Sequence, residues 1–291
     1  MITRSCLMIL LTFAFSINIA SSGIPDWEKL KVEEKEKIER TLRFQDLSQS
    51  KEVWVDNIFG SITVEGFDGQ AVELVVYKTI KARNKEKIQK AREEVKLDIK
   101  EESNTIDLYV DGPFRDRDEG GRHRGRWDPG YRVHYDFAIK VPRQTNLSLK
   151  TATDGKIRVE NVEGEFDIRH ANGEIDLIEV AGSGSAHTAN GDVRVTFSKN
   201  PASDCSFKTV NGDVKASFPE NLSADFRLKT FHGDGYSDFP ITYLPSRPAQ
   251  KSREDGKFVY KSDRSVGVRI DKGGPEILMD TLNGDLLIQK R

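Results

Sequence analysis

Cysteine is nearly missing from this chain. Its 291 residues include two, Cys6 and Cys205, and Cys6 lies ahead of the apolar N-terminal run. A mature chain keeping only Cys205 cannot close an internal disulfide, so the fold does not rest on one. Paired cysteines at metal-site spacing, a zinc-binding His pair, a phosphate-cradling loop and a nucleophile elbow are also absent. An excess of one charge is lacking too: 45 Lys+Arg face 47 Asp+Glu, for a net −2 at pH 7. Loss of Arg4 with a leader moves that balance to about −3, a near-neutrality that argues against nucleic acid as a partner.

Apolar runs are short except at the start. Arg4, then Leu7 to Phe15 broken only by Thr12, then Ala20-Ser21-Ser22 form the three parts of a secretory signal over residues 1–22. The run is too short to span a bilayer, and no Cys follows it to carry a lipid anchor. With no other stretch near membrane-spanning length, the mature chain is expected to lack a transmembrane segment. It is expected to be exported: periplasmic, cell-surface or secreted.

One phrase keeps returning. It reads Ala171-Asn172-Gly173-Glu174, Ala189-Asn190-Gly191-Asp192, Val210-Asn211-Gly212-Asp213, Phe231-His232-Gly233-Asp234 and Leu282-Asn283-Gly284-Asp285. The first four of these glycines lie 18, 21 and 21 residues apart, and Gly155, Gly164, Gly173, Gly182 and Gly191 step by nine. A fixed period near 20 residues marks a repeat architecture. Asn-Gly is a strong turn signal, because both residues tolerate positive φ. Short runs alternating apolar and charged follow the turns, as in Ile175-Asp176-Leu177 and Val193-Arg194-Val195. Each reads as a strand with one face buried and the other solvated.

Two short strands per period suit one coil of a stack whose coils sit about 4.8 Å apart. The fold class expected is therefore all-β: a single-domain parallel β-helix or β-solenoid with 18–21 residues per coil. Thr188, Thr209, Thr230 and Thr281 each precede the turn Asn or His by two residues and should form one column. The turn Asn is read as an Asn in a left-handed turn whose amide bonds its equivalent one coil away. Thr151-Ala152-Thr153-Asp154-Gly155 carries one extra residue. Cys205 falls in an inward column.

Along the chain, residues 23–37 read as a charged, frayed segment, and the solenoid domain as 38–290. Val53 to Val64 looks like an early repeat with Phe59 in the turn-Asn place. Asn84 to Val95 switches to helical period, with Asn84 as N-cap and Ile88, Ala91 and Val95 on one face. This single amphipathic helix is expected to cover an end or flank of the stack. Residues 112–130 form a charged loop holding Arg115, Arg117, Arg122, His123, Arg124, Arg126 and Trp127 among acids. Residues 240–262 read as a Pro-rich insertion before the last repeat, capping the C-terminal coil.

Tyr135-Asp136-Phe137-Ala138-Ile139-Lys140-Val141-Pro142, then Asn146-Leu147-Ser148-Leu149-Lys150-Thr151 and the repeated Thr-x-Asn-Gly-Asp turns, resemble the bacterial "putative adhesin" domain of unknown function. Val55-Asp56-Asn57-Ile58 with Gly60-Ser61-Ile62-Thr63-Val64 resembles its opening. The resemblance covers about residues 38 to 290 and implies an exported β-solenoid of the bacterial envelope, without catalytic residues to carry over.

The residue after each turn Gly is acidic. In register, Glu174, Asp192, Asp213 and Asp234 would make an outward carboxylate column, solvated or facing a cationic partner. Calcium-binding nonapeptide repeats need an Asp two residues after their last Gly, whereas here the acid follows directly, so no metal or cofactor is expected. The function expected is a non-enzymatic, adhesin-like binding or scaffold module for an envelope polysaccharide or envelope protein. One alternative is a polysaccharide lyase or hydrolase using Asp192, Arg194, Asp213 and Lys215. Another is an accessory protein in envelope-stress signalling.

Overall fold

The computed structural model describes residues 30–46, 48–115, 129–247, 250–254, 257–261 and 265–291. The signal at 1–22 and most of the charged loop, including Arg117, Arg122, His123, Arg124, Arg126 and Trp127, lie outside the described residues. The N-terminal part holds β1 (Val32–Arg43), β2 (Lys51–Asp56), β3 (Ile62–Phe67), β4 (Ala71–Ala82), α1 (Lys85–Glu94), β5 (Lys96–Glu102), β6 (Thr105–Asp111) and β7 (Tyr131–Pro142). The repeats supply β8 (Thr145–Thr151), β9 (Ile157–Glu160), β10 (Phe166–His170), β11 (Ile175–Val180), β12 (Gly184–His187), β13 (Val193–Phe197), β14 (Cys205–Lys208), β15 (Val214–Phe218), β16 (Ala224–Lys229) and β17 (Gly235–Ser237). The C-terminal part adds β18 (Thr242–Tyr243), β19 (Gln250–Glu254), β20 (Lys257–Lys261), β21 (Val266–Ile270), β22 (Glu276–Asp280) and β23 (Leu286–Lys290).

These strands build two large sheets. Sheet I has ten, in the order β1-β4-β7-β3-β9-β11-β13-β15-β23-β17. Sheet II has eleven, in the order β18-β21-β16-β22-β14-β12-β10-β8-β2-β6-β5, and β19 pairs with β20 alone. From β8 to β17 the chain alternates between sheets, so each nine-residue half-step is one crossing and two crossings make a coil. Like strands then pair in parallel, one coil to the next.

Burial follows the alternation. Ile62, Ile157, Ile175, Val193, Val214 and Leu286 lie side by side across sheet I and are fully buried. Phe197 stacks on Phe218 at 5.0 Å between centroids, and Phe218 meets Phe226 of sheet II edge-on at 5.7 Å. Each such side chain contributes roughly 1.5–3 kcal/mol. Cys205 is buried in the same core.

The N-terminal part departs from a uniform stack of short strands. β1, β4 and β7 are each 12 residues long and run antiparallel. Val32 to Lys37 of the segment read as frayed belong to β1, because their alternating charges find partners across the ladder: Glu33 lies opposite Lys81, and their ion pair measures 3.7 Å. α1 begins where expected, with Asn84 Oδ1 accepting from the Lys87 N–H at 2.9 Å. Ile88 and Ala91 bury its inner face against β1, β4 and β7.

The two sheets do not close into a tube. Antiparallel strands edge sheet II at both ends, with β5 on β6 and β18 on β21.

The last repeat is not the last coil. β22 and β23 lie between the coils β14–β15 and β16–β17. The chain runs along β21, antiparallel to β16, passes through residues 271–275, and returns as β22 on the other side of β16. The insertion therefore edges the β16 coil, while the C-terminal residues fill the space beneath it.

Candidate functional site

The turn edge brings the repeated phrase into register. The Asn190 amide donates to Oδ1 of Asn172, Asn211 to Asn190, and Asn283 to Asn211, each at 2.7 Å. His232 ends the ladder, with Nδ1 2.8 Å from Oδ1 of Asn283. That oxygen can only accept, so Nδ1 carries the proton. The terminal position needs one donor and no acceptor, which is why a His serves there. Such ladders satisfy each amide through the coil beside it.

The backbone corrects one detail of the turn. Positive φ falls on the glycines, at +137° for Gly191, +148° for Gly212 and +153° for Gly284, and not on the asparagines. The asparagines instead form extended bridges with one another. A Cβ on Gly212 would sit 2.3 Å from the Gly191 carbonyl oxygen, so close stacking itself requires glycine. Asp154, with φ of 59°, absorbs the extra residue of the early repeat.

The threonine column works from inside. Thr188, Thr209, Thr281 and Thr230 donate to the carbonyls of Gly173, Gly191, Gly212 and Gly284, at 2.8–3.0 Å. In the first coil of the ladder His170 takes this place. Its Nε2 lies 3.0 Å from the Gly155 carbonyl, and its Nδ1 accepts from the Asn172 N–H at 3.2 Å. The ring is therefore neutral with its proton on Nε2. Burial pushes its pKa below the usual histidine value, against the opposing bond to Gly155.

The carboxylate column is assembled in an order the chain does not follow. Asp285 falls between Asp213 and Asp234, because its coil is the intercalated one. Oδ1 of Asp192 accepts the N–H of Asp213, Asp213 that of Asp285, and Asp285 that of Asp234, each at 2.9 Å. The Asp285 N–H and then Lys215 hold the Asp213 carboxyl below its usual range. Arg194 binds Glu174 at 3.1 Å, Asp176 at 3.2 Å and Asp192 at 2.7 Å. These contacts, Glu174 first, raise its pKa above the usual guanidinium value. Lys215 pairs with Asp213 at 3.1 Å. The four residues of the lyase alternative are thus bound to carboxylates or backbone of their own columns. Among the described residues no group of His, Cys, Asp or Glu is placed to hold a metal ion.

Sequence reasoning missed a second feature, an open cavity of about 480 Å³ on the outer face of sheet II, bordered by Trp54. Its signal was parity: Trp54 stands between the inward Val53 and Val55, where a solvated side chain belongs, and it is 47% exposed.

Residues 134–274 match the family described as Toastrack DUF4097, somewhat under half of the chain. No curated protein matches the sequence. Among solved structures, the chain is similar to a "putative cell adhesion protein" from Clostridium sporogenes. Identity there is 10% over 89% of this chain and 100% of that one, with a TM-score of 0.41. It is also similar to a "putative adhesin" from Bacteroides fragilis, at 12% identity over 88% and 97% of the two chains and a TM-score of 0.36. A third, a "putative lipid binding protein" from Parabacteroides distasonis, shares 11% identity over 87% and 96%, with a TM-score of 0.27. Likenesses this distant carry no function. No helix among the described residues is long and apolar enough to cross a membrane.

Proposed function

We propose that this chain is an exported, non-enzymatic β-solenoid of the bacterial envelope, an adhesin-like scaffold that presents a sheet face to an envelope polysaccharide or protein. Its folded unit includes β1 (Val32–Arg43) and follows a cleaved leader of residues 1–22. One observation carries the reading. Acids and bases along the turn edge are engaged in coil-to-coil contacts, Arg194 with three carboxylates and Asp192 with the next coil's backbone. Active sites tend to break a repeat's local rules, whereas these residues obey them. The columns give the stack rigidity, and recognition falls to the outer faces of the sheets.

The test is co-sedimentation of purified protein with isolated envelopes and with a polysaccharide panel, assaying the supernatants for released sugar. Binding without release is expected. Release of sugar that disappears in Asp213→Asn would make the protein an enzyme.

A further inference from the structure

The outer face of sheet II carries a step. Trp54 of β2 stands in register with Ser148 of β8, then Asp167 of β10 and Ser185 of β12. A tall aromatic side chain therefore borders a floor of short ones, and Gly184 and Ser183 lower that floor further. One row along, Glu52 is in register with Asn146, whose Oδ1 accepts the Glu165 N–H at 2.9 Å. The cavity over these residues holds about 480 Å³ and is also lined by Ser203 and Asp204.

Charge decides what fits. Along the turn edge acids and bases are interleaved, but among the described residues no Lys, Arg or His lines this cavity. Arg169 compensates Asp167 from outside at 2.9 Å, and Asp204 accepts the Glu276 N–H at 2.7 Å. Glu52 and Glu165 make no side-chain ion pair among the described residues. They sit two strands apart, about 10 Å, the span of a disaccharide. An exposed indole flanked by uncompensated carboxylates attracts a cation through its ring face and through Coulomb's law together. Serine hydroxyls and an anchored asparagine amide offer hydrogen bonds to ring hydroxyls. A uronate polymer would meet like charge here.

We infer that this groove binds an extended polysaccharide bearing unacylated amino groups, with Trp54 as platform and Glu52 and Glu165 receiving the amines. The inference deepens the scaffold reading and rests on it.

Calorimetric titration separates the cases, using a glucosamine hexamer, its N-acetylated counterpart, an oligogalacturonate and an oligolysine. The glucosamine hexamer should bind about tenfold more tightly than the acetylated one. Trp54→Ala should weaken it by a similar factor with an unchanged melting temperature, since the side chain is half exposed. Glu52→Gln with Glu165→Gln should erase the preference for the free amine. Unchanged binding in Trp54→Ala, equal binding of the uronate or the acetylated sugar, or no binding at all would overturn the inference. Oligolysine binding as tightly as glucosamine would overturn it in favour of a basic polypeptide partner. Envelope binding that survives Trp54→Ala would remove this site and leave the scaffold reading standing.

Discussion

Asn283 donates its side-chain amide to Asn211 at 2.7 Å across 72 residues of sequence. Asn211 and His232 belong to consecutive copies of the same phrase, yet each meets Asn283 instead of the other. The stack thus contains a coil supplied out of order, and its contacts set the first expectation.

Truncation after Gly274 removes Ile277, Met279, Leu286 and Ile288, all buried to within 1%. At roughly 1.5–3 kcal/mol for each side chain, the loss rivals the whole stability of a typical domain. We expect the truncated chain to lose its cooperative urea transition. A transition at the full-length midpoint would mean that the β16 coil closes directly onto the β14 coil.

Acid should weaken the fold through His170. Its native pKa is depressed by burial, so below about pH 6.5 the unfolded chain binds a proton that the native ring resists. The contribution is intact above that value and declines as pH falls through it. His187, also depressed by burial first, acts in the same sense. His170→Thr restores the column's usual residue and should flatten the slope of stability against pH between 7 and 5, leaving the part due to His187. An unaltered slope would relieve His170 of this role.

Arg194→Ala strips Glu174, Asp176 and Asp192 of their shared cation. The side chain is 40% exposed, so the cost is discounted for solvent to about 1 kcal/mol and should shrink in high salt. Chemical denaturation at low and high ionic strength reads both values. A loss that ignores salt would point to packing by the arginine stem.

Gly212→Ala tests the stacking distance. Positive φ and a Cβ 2.3 Å from the Gly191 carbonyl oxygen should together cost about 3 kcal/mol. The same change at Gly235, where the nearest atom is 3.6 Å away and side-chain, should be nearly neutral. Equal costs at the two sites would show that neither the positive φ nor the coil spacing at Gly212 selects glycine there.

The turn edge was legible in the sequence because its chemistry is local. Thr-x-Asn-Gly-Asp fixes which atom of each coil meets which atom of the next, and the ladder, the threonine column and the buried Cys205 follow. Coil order was not legible for the same reason. Thr209-Val210-Asn211-Gly212-Asp213 and Thr281-Leu282-Asn283-Gly284-Asp285 present equivalent edges, so nothing within either phrase says which neighbour it takes. That choice is made by the β21–β22 passage around β16, whose registers are long-range. The first half of the strand from Val32 was hidden because Glu33 to Lys37 holds only Glu and Lys, and that stretch finds its partners on β4. Trp54 was visible, but its neighbours Ser148, Asp167 and Ser185 come together only through the sheet.

The position of β22 and β23 also bears on timing. During synthesis the top coil is made before the coil that belongs beneath it. Until β22 and β23 have been made, β16 and β17 must wait or rest on a provisional neighbour that they later give up. Closure of the stack thereby waits on two late strands: a product ended before them leaves β14, β15, β16 and β17 each lacking one neighbour, an open seam ready for a protease to find.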